Sequence, residues 1–120
     1  MIGGVELGGT KCIIAVAKSP TDIIERKIIH TDRPEVTLPK IFRFLNNFDI
    51  ENLGIGAFGP INLDTQLKEY GLLVSESKKD WKGINIFSEF SNNVNAKISI
   101  DTDVNAAAIG EYSYDFSELW

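Results

Sequence analysis

Two observations predict a single-domain α/β fold for the 120-residue chain: three consecutive β-rich segments at the start, then strands alternating with helical patterns, in the order βββαβαβα. Size and composition agree with this. A chain of this length can bury roughly two thirds of its unfolded surface, and 43% hydrophobic with 24% charged residues is the make-up of a globular domain with its own core.

Ile2 to Leu7 and Cys12 to Ala17 are β-rich runs separated by Gly8-Gly9-Thr10-Lys11, a tight-turn composition, and read as a hairpin. Ser19-Pro20-Thr21-Asp22 is a second turn leading into Ile23 to Thr31, so the first three strands form an antiparallel meander. Beyond Pro34, the residues Ile41, Phe44, Leu45 and Phe48 recur at three- and four-residue spacing, which predicts a helix from about Thr37 to Asn47 with this stripe facing the core. Leu53 to Phe58 reads as a buried strand. No period holds from Gly59 to Gly83, and so long an irregular stretch in a compact domain suggests a functional loop. Ile86, Phe87 and Phe90 predict a short helix ending at Asn92-Asn93, and Lys97 to Ile100 predicts a last strand. Val104, Ala108 and Tyr112 fall on one face of an alanine-rich run, which predicts a helix from Asp103 to about Tyr112.

Charge and cysteine usage narrow the function. Twelve basic against 17 acidic side chains give a net charge of −5, the wrong field for a duplex or an anionic membrane surface. One cysteine, Cys12, and one histidine, His30, allow neither an internal disulfide nor a closed zinc site of nitrogen and sulfur ligands. No apolar run approaches the roughly 20 residues that cross a bilayer, and the opening MIGGVELGG has no basic leader region. The expectation is a cytoplasmic chain with no nucleic-acid or membrane partner. His30, at a strand end, is expected on the surface or in a turn.

Chemistry can reside in two places. In Glu6-Leu7-Gly8-Gly9-Thr10-Lys11, adjacent glycines let backbone N–H groups turn toward one anion, Thr10 offers a hydroxyl and Lys11 a positive charge, so the turn can cradle a phosphate; a plain hairpin turn is the competing reading. Asp101-Thr102-Asp103-Val104-Asn105 leaves a strand and enters a helix, where ligands of open α/β sheets collect. The same residue types are favoured helix N-caps, although capping needs only one of them, and Asp101 with Asp103 also suits metal ligation or a carboxylate pair. A third pattern, Gly54-x-Gly56-x-x-Gly59, matches the dinucleotide fingerprint only in letters. Its glycines lie inside a strand and lead into a loop with Pro60, Asn62 and Asp64 rather than opening a helix. A Walker loop fails as well, because Cys12 follows Lys11 where Ser or Thr is needed. Lys78-Lys79 beside Asp80-Trp81 either steers an anionic ligand or forms a solvated charged loop.

Taken together, ELGGTK from Glu6, GAFGP from Gly56 to Pro60 and DTDVNAAAIGE from Asp101 to Glu111 resemble the N-terminal half of a ROK-family sugar kinase, in family order over nearly the whole chain. The resemblance implies one lobe of the actin/hexokinase-type ATPase fold, ribonuclease H-like with a mixed sheet. It implies that Gly8, Gly9, Thr10 and Lys11 form the first phosphate motif and that Gly59, Pro60, Thr102 and Asn105 line the sugar. Asp103 would be the general base that takes the proton of the attacking sugar hydroxyl, and Glu6 an indirect ligand of Mg2+. ATP, Mg2+ and a hexose follow as cofactor and substrates. Glu6 stands where the family usually has Asp, and Thr102 where many members have Asn. Both departures resemble the bacterial fructokinase branch, as do FGP and a Tyr70-Gly71 segment upstream of Trp81, so fructose is the favoured sugar; Ser77 stands where that branch has proline.

Residues 1–120 are therefore expected to be the N-terminal lobe, with the C-terminal lobe absent from this chain and with it the second glycine motif, the adenosine pocket and the family's zinc site. Such a lobe is expected to be inactive alone and to associate, as a homo-oligomer or with a missing C-terminal half. The alternative is a non-catalytic sugar-sensing or interaction domain of the same family.

Overall fold

The computed structural model describes residues 1–19, 21–57, 61, 62, 64, 66–74 and 79–101. The helix expected from Asp103 lies outside them. Strands β1 (Ile2–Leu7), β2 (Lys11–Ser19) and β3 (Asp22–His30) are followed by helix α1 (Pro34–Leu45), strand β4 (Asn52–Ala57), a 3-10 turn at Lys79–Trp81, helix α2 (Ile86–Asn93) and strand β5 (Lys97–Asp101). The strands make one mixed sheet in the order β3-β2-β1-β4-β5. β1, β2 and β3 pair antiparallel, whereas β1, β4 and β5 run parallel.

Side-chain alternation divides the sheet into two faces. Val5 and Leu7 of β1 and Cys12, Ile14 and Val16 of β2 join Leu38, Ile41, Phe44 and Leu45 of α1 and Ile86 and Phe90 of α2 in one buried cluster. The two helices meet there through Phe42 and Phe90, whose rings pack edge to face with centroids 5.0 Å apart. The other face of β1 and β2 carries Ile2, Ile13, Ala15 and Ala17, all buried as well. β1 is thus central in the sheet and apolar on both sides, with Glu6 its one charged residue.

The helix boundaries have local causes. α1 begins at Pro34, three residues before the expected start at Thr37, because proline at the first helical position gives up an N–H that has no partner there in any case. Thr37, the expected start, is fully buried and its hydroxyl accepts the Asp32 N–H at 2.8 Å, tying down the chain that enters the helix. α2 starts where the Asn85 side chain accepts the Ser88 N–H at 3.0 Å, an N-cap in the ordinary sense. The segment without sequence period is held by two isolated bridges, Ile61 with Leu73 and Leu72 with Asn85. Trp81 closes it from below, buried, with its indole N–H donated to the Asp32 carbonyl at 2.9 Å. This burial decides against a solvated loop at the Trp81 end, while Lys79 and Asp80 are exposed. Among the described residues no helix is long and apolar enough to cross a membrane.

Phe90 is fully buried where α2 meets both α1 and the sheet, so Phe90→Ala should cost about 3–5 kcal/mol. Urea unfolding measures this, and a loss below about 1 kcal/mol, the usual scale of a surface change, would place the core elsewhere.

Candidate functional site

The sheet brings the carboxyl ends of β1, β4 and β5 side by side, and the first hairpin turns at the same end. Leu7 pairs with Cys12 across the hairpin and with Ala57 across the parallel pair, so the Gly8–Thr10 turn stands directly beyond the last residues of β1 and β4. Glu6 pairs with Gly56, and Gly56 with Asp101. These three positions form one row across the parallel strands, the place where open α/β sheets hold ligands. Gly56 contributes no side chain, which leaves space beside Glu6 on that row.

The turn is tightly built. The Gly8 N–H donates to the Lys11 carbonyl at 3.1 Å, and a Cβ on Gly8 would run into that same oxygen, so this position requires glycine. Thr31, just past β3, braces the turn from outside: its N–H donates to the Thr10 carbonyl at 2.9 Å and its hydroxyl to the Gly8 carbonyl at 2.8 Å. Its Oγ1 also lies 3.2 Å from Cys12 Sγ, and Thr31 is buried. The Gly8 and Thr10 carbonyls are thus taken by the protein. Among the described residues, the N–H groups of Gly9 and Thr10 donate to nothing in the chain. Donors left unpaired next to an exposed Lys11 are what an anion needs.

Glu6 supplies the opposite charge. It shares a sheet face with Lys11, two residues along β2 from its cross-strand partner Ile13. It is partly buried, and its Oε2 is covered from solvent with no hydrogen-bond partner among the described residues. Burial pushes its carboxyl above the usual carboxylate range, and the Lys11 ammonium partly pulls it back.

The structure therefore brings together Glu6, Gly8, Gly9, Thr10 and Lys11. Gly59, Pro60, Thr102, Asp103 and Asn105 lie outside the described residues, as does Ser77. Gly54 and Gly56 sit inside β4 and open no helix, so the dinucleotide fingerprint has no structural counterpart there. His30 is exposed at the end of β3, as expected. Among the described residues no group of three acidic, histidine or cysteine side chains is placed to hold a metal ion by itself. Sequence reasoning missed the brace at Thr31. Nothing local marks it, since its partners lie 19 to 23 residues away.

A five-stranded sheet in the order β3-β2-β1-β4-β5, with a glycine hairpin opening onto the carboxyl ends of its parallel strands, is the sheet of an actin/hexokinase-like ATPase fold. Within that class the chain belongs to the ROK family, whose model matches residues 2–118. It is 36% identical over 109 residues to the fructokinase of Lactococcus lactis subsp. cremoris, an alignment covering 91% of this chain and 38% of the relative. It is 33% identical over 113 residues to the fructokinase of Streptococcus mutans, covering 92% of this chain and 39% of that one. The ROK family glucokinase of Streptomyces griseus, solved with glucose and AMPPNP, superposes with a TM-score of 0.68 at 22% identity over 88% of this chain and 34% of its own. The chain thus spans less than two fifths of the length of these relatives.

The Glu6 carboxyl holds its proton more tightly when folded than when unfolded, so its contribution to stability is fully present below the ordinary carboxylate range. It is lost as pH rises through the raised folded value. Glu6→Gln, which cannot ionise, should melt higher than the parent chain at neutral pH and match it in acid. Melting curves from pH 3 to 8 measure the gap, and a gap that does not change with pH would contradict the assignment.

Proposed function

We propose that this chain is the N-terminal lobe of a hexose kinase, with fructose the favoured sugar, that transfers the γ-phosphoryl group of ATP to a primary hydroxyl. The observation that carries the reading is the hairpin: two N–H groups and a buried carboxylate oxygen that have no partner among the described residues, beside a lysine, all at the carboxyl end of the parallel strands. Membership of the ROK family and the fructokinase names of its relatives support the reaction class and the sugar.

In this reading Gly8, Gly9, Thr10 and Lys11 receive the phosphate chain of ATP. The backbone donors and the lysine oppose its charge, which grows on the oxygens as the phosphoryl group moves. The donor set also fits Mg2+ held through water by Glu6, because its Oε2 has no partner among the described residues and a neighbouring cation favours the ionised carboxylate. Mg2+ bound with the nucleotide would neutralise phosphate charge. Gly59, Pro60, Thr102 and Asn105 line the sugar. Asp103 takes the proton of the sugar hydroxyl while the hydroxyl oxygen bonds to phosphorus and the bond from phosphorus to ADP breaks. The row formed by Glu6, Gly56 and Asp101 supports this placement, since Asp103 follows Asp101 by two residues in the sequence.

Alone, the chain offers one side of a clamp. Holding nucleophile and phosphorus in attack geometry can supply about 7–11 kcal/mol of the barrier, and an open lobe leaves that geometry unheld. Association is expected for the same reason. Ile24 and Ile28 of β3, 39% and 48% exposed on one face of the outer strand, give a homo-oligomer apolar surface to use.

The test joins this chain to the part of the Lactococcus lactis fructokinase beyond the matched region and assays ADP release with MgATP and fructose, glucose or mannose. The fusion should turn over, fructose should be its best substrate, and Asp103→Asn should lower the rate about 10²- to 10⁴-fold. The 120-residue chain alone should stay far below the roughly 1 s⁻¹ of slow ordinary enzymes. Sugar binding by the fusion without turnover would favour the sensing alternative, and an Asp103→Asn fusion with near-normal rate would remove Asp103 from the mechanism.

A further inference from the structure

Tyr70-Gly71 lies in the stretch without sequence period, yet contacts with distant residues fasten it. Gly71 has φ +86°, and a Cβ there would stand 2.7 Å from both the Phe87 Cβ and backbone nitrogen, so the chain presses directly onto the start of α2. Its carbonyl accepts the Ile86 N–H at 2.8 Å, and its own N–H donates to the Asn62 carbonyl at 2.7 Å. The Tyr70 ring packs edge-on against Phe87, with centroids 5.1 Å apart. The ring is thereby aimed, and its hydroxyl reaches β5.

There it meets both backbone polar groups of a single residue. The Ile100 N–H donates to the Tyr70 hydroxyl at 3.1 Å, and that hydroxyl lies 3.5 Å from the Ile100 carbonyl oxygen, to which it donates. In a strand the N–H and C=O of one residue point the same way, so both groups of Ile100 face away from β4. β5 is the edge strand among the described residues. One hydroxyl therefore substitutes for a neighbouring strand at the residue before β5 ends. Two residues earlier, the Ile98 N–H faces the same edge and finds no acceptor among the described residues. The edge is secured at its carboxyl end, next to the row of Glu6, Gly56 and Asp101.

We propose that Tyr70 is a positioning residue for phosphoryl transfer: its hydroxyl fixes the carboxyl end of β5 at Ile100, three residues before Asp103 in the sequence. The inference rests on the reading of Asp103 as the general base. An edge strand held on one side only is free to fray. A displacement of about 1 Å at a reacting group is enough to cost on the order of 10² in rate.

Tyr70→Phe keeps the ring against Phe87 and removes only the hydroxyl. In the 120-residue chain, the Ile100 amide should exchange about 10-fold faster or more in the variant, while the Val5, Ile14 and Ile55 amides of the central strands keep their rates. In the fusion with the fructokinase remainder, kcat should fall about 10-fold with KM for fructose and for ATP unchanged within about twofold. Unchanged Ile100 exchange in the variant would overturn the proposal, and so would a loss confined to KM. If the variant proves too unstable to compare, the parent chain decides: Ile100 must be protected well beyond Ile98, and equal exchange of these two amides overturns the proposal. A parent fusion without turnover would refute the kinase reading itself, and the exchange of Ile100 would still report whether the hydroxyl holds the strand.

Discussion

The pairing of β1 with neighbours on both sides is the constraint on which the rest depends. Antiparallel pairing with β2 places the Gly8–Thr10 turn at the end of β1, and parallel pairing with β4 brings the end of β4 to the same level. Because side chains alternate with a period of two, a one-residue slip in either ladder would move Glu6 into the helical core and Val5 and Leu7 onto the other face. The register is held by burial on both faces: Val5 and Leu7 pack against the helices, and Ile2 is buried on the opposite side. A site assembled from separate strands needs this rigidity, since the row of Glu6, Gly56 and Asp101 is joined only through the sheet.

Around that frame the turn itself is shaped by where its hydrogen bonds go. The Gly8 and Thr10 carbonyls are taken by Thr31, the Gly8 N–H and the Lys11 carbonyl take each other, and the N–H groups of Gly9 and Thr10 have no acceptor among the described residues. A hairpin whose only purpose was to reverse the chain would have no reason to recruit a buried threonine from the end of the next strand. The partly buried Glu6 carboxyl, raised by desolvation and lowered by Lys11, adds a charge that a bound cation would resolve. Ionising Glu6 therefore costs stability, a perturbation of the kind that clusters at functional sites.

Much of this was legible in the sequence. Runs of β-branched residues interrupted by Gly-Gly-Thr-Lys and Ser-Pro-Thr-Asp fix the three-stranded start, with β1 matching the expected Ile2 to Leu7 at both ends. The stripe of Ile41, Phe44 and Leu45 marks α1. The helix starts three residues earlier than expected, because Pro34 and the buried Thr37 belong to a first turn that carries no apolar period, and it ends two residues earlier, at Leu45, which leaves Phe48 beyond it. The segment between β4 and α2 could not be read, for a physical reason. Its order comes from two glycines with positive φ and from isolated bridges and two aromatic polar tips, and these last are contacts with residues distant in the chain. The hairpin half of the candidate site was visible as a motif, whereas its brace, Thr31, was not. The motif residues Gly59, Pro60, Thr102, Asp103 and Asn105 lie outside the described residues and rest on the family resemblance.

The claim at the centre of this account is that the first hairpin receives a polyphosphate. Titrating the 15N-labelled chain with MgATP tests it directly, with inorganic tripolyphosphate and Mg2+ as a second probe. The account predicts saturable shifts concentrated at the Gly9, Thr10 and Lys11 amides and reaching Glu6. The amides at the other end of β2, Lys18 and Ser19, should stay in place, and Lys11→Ala should weaken binding. Shifts scattered over exposed lysines with none at Gly9 and Thr10 would contradict it.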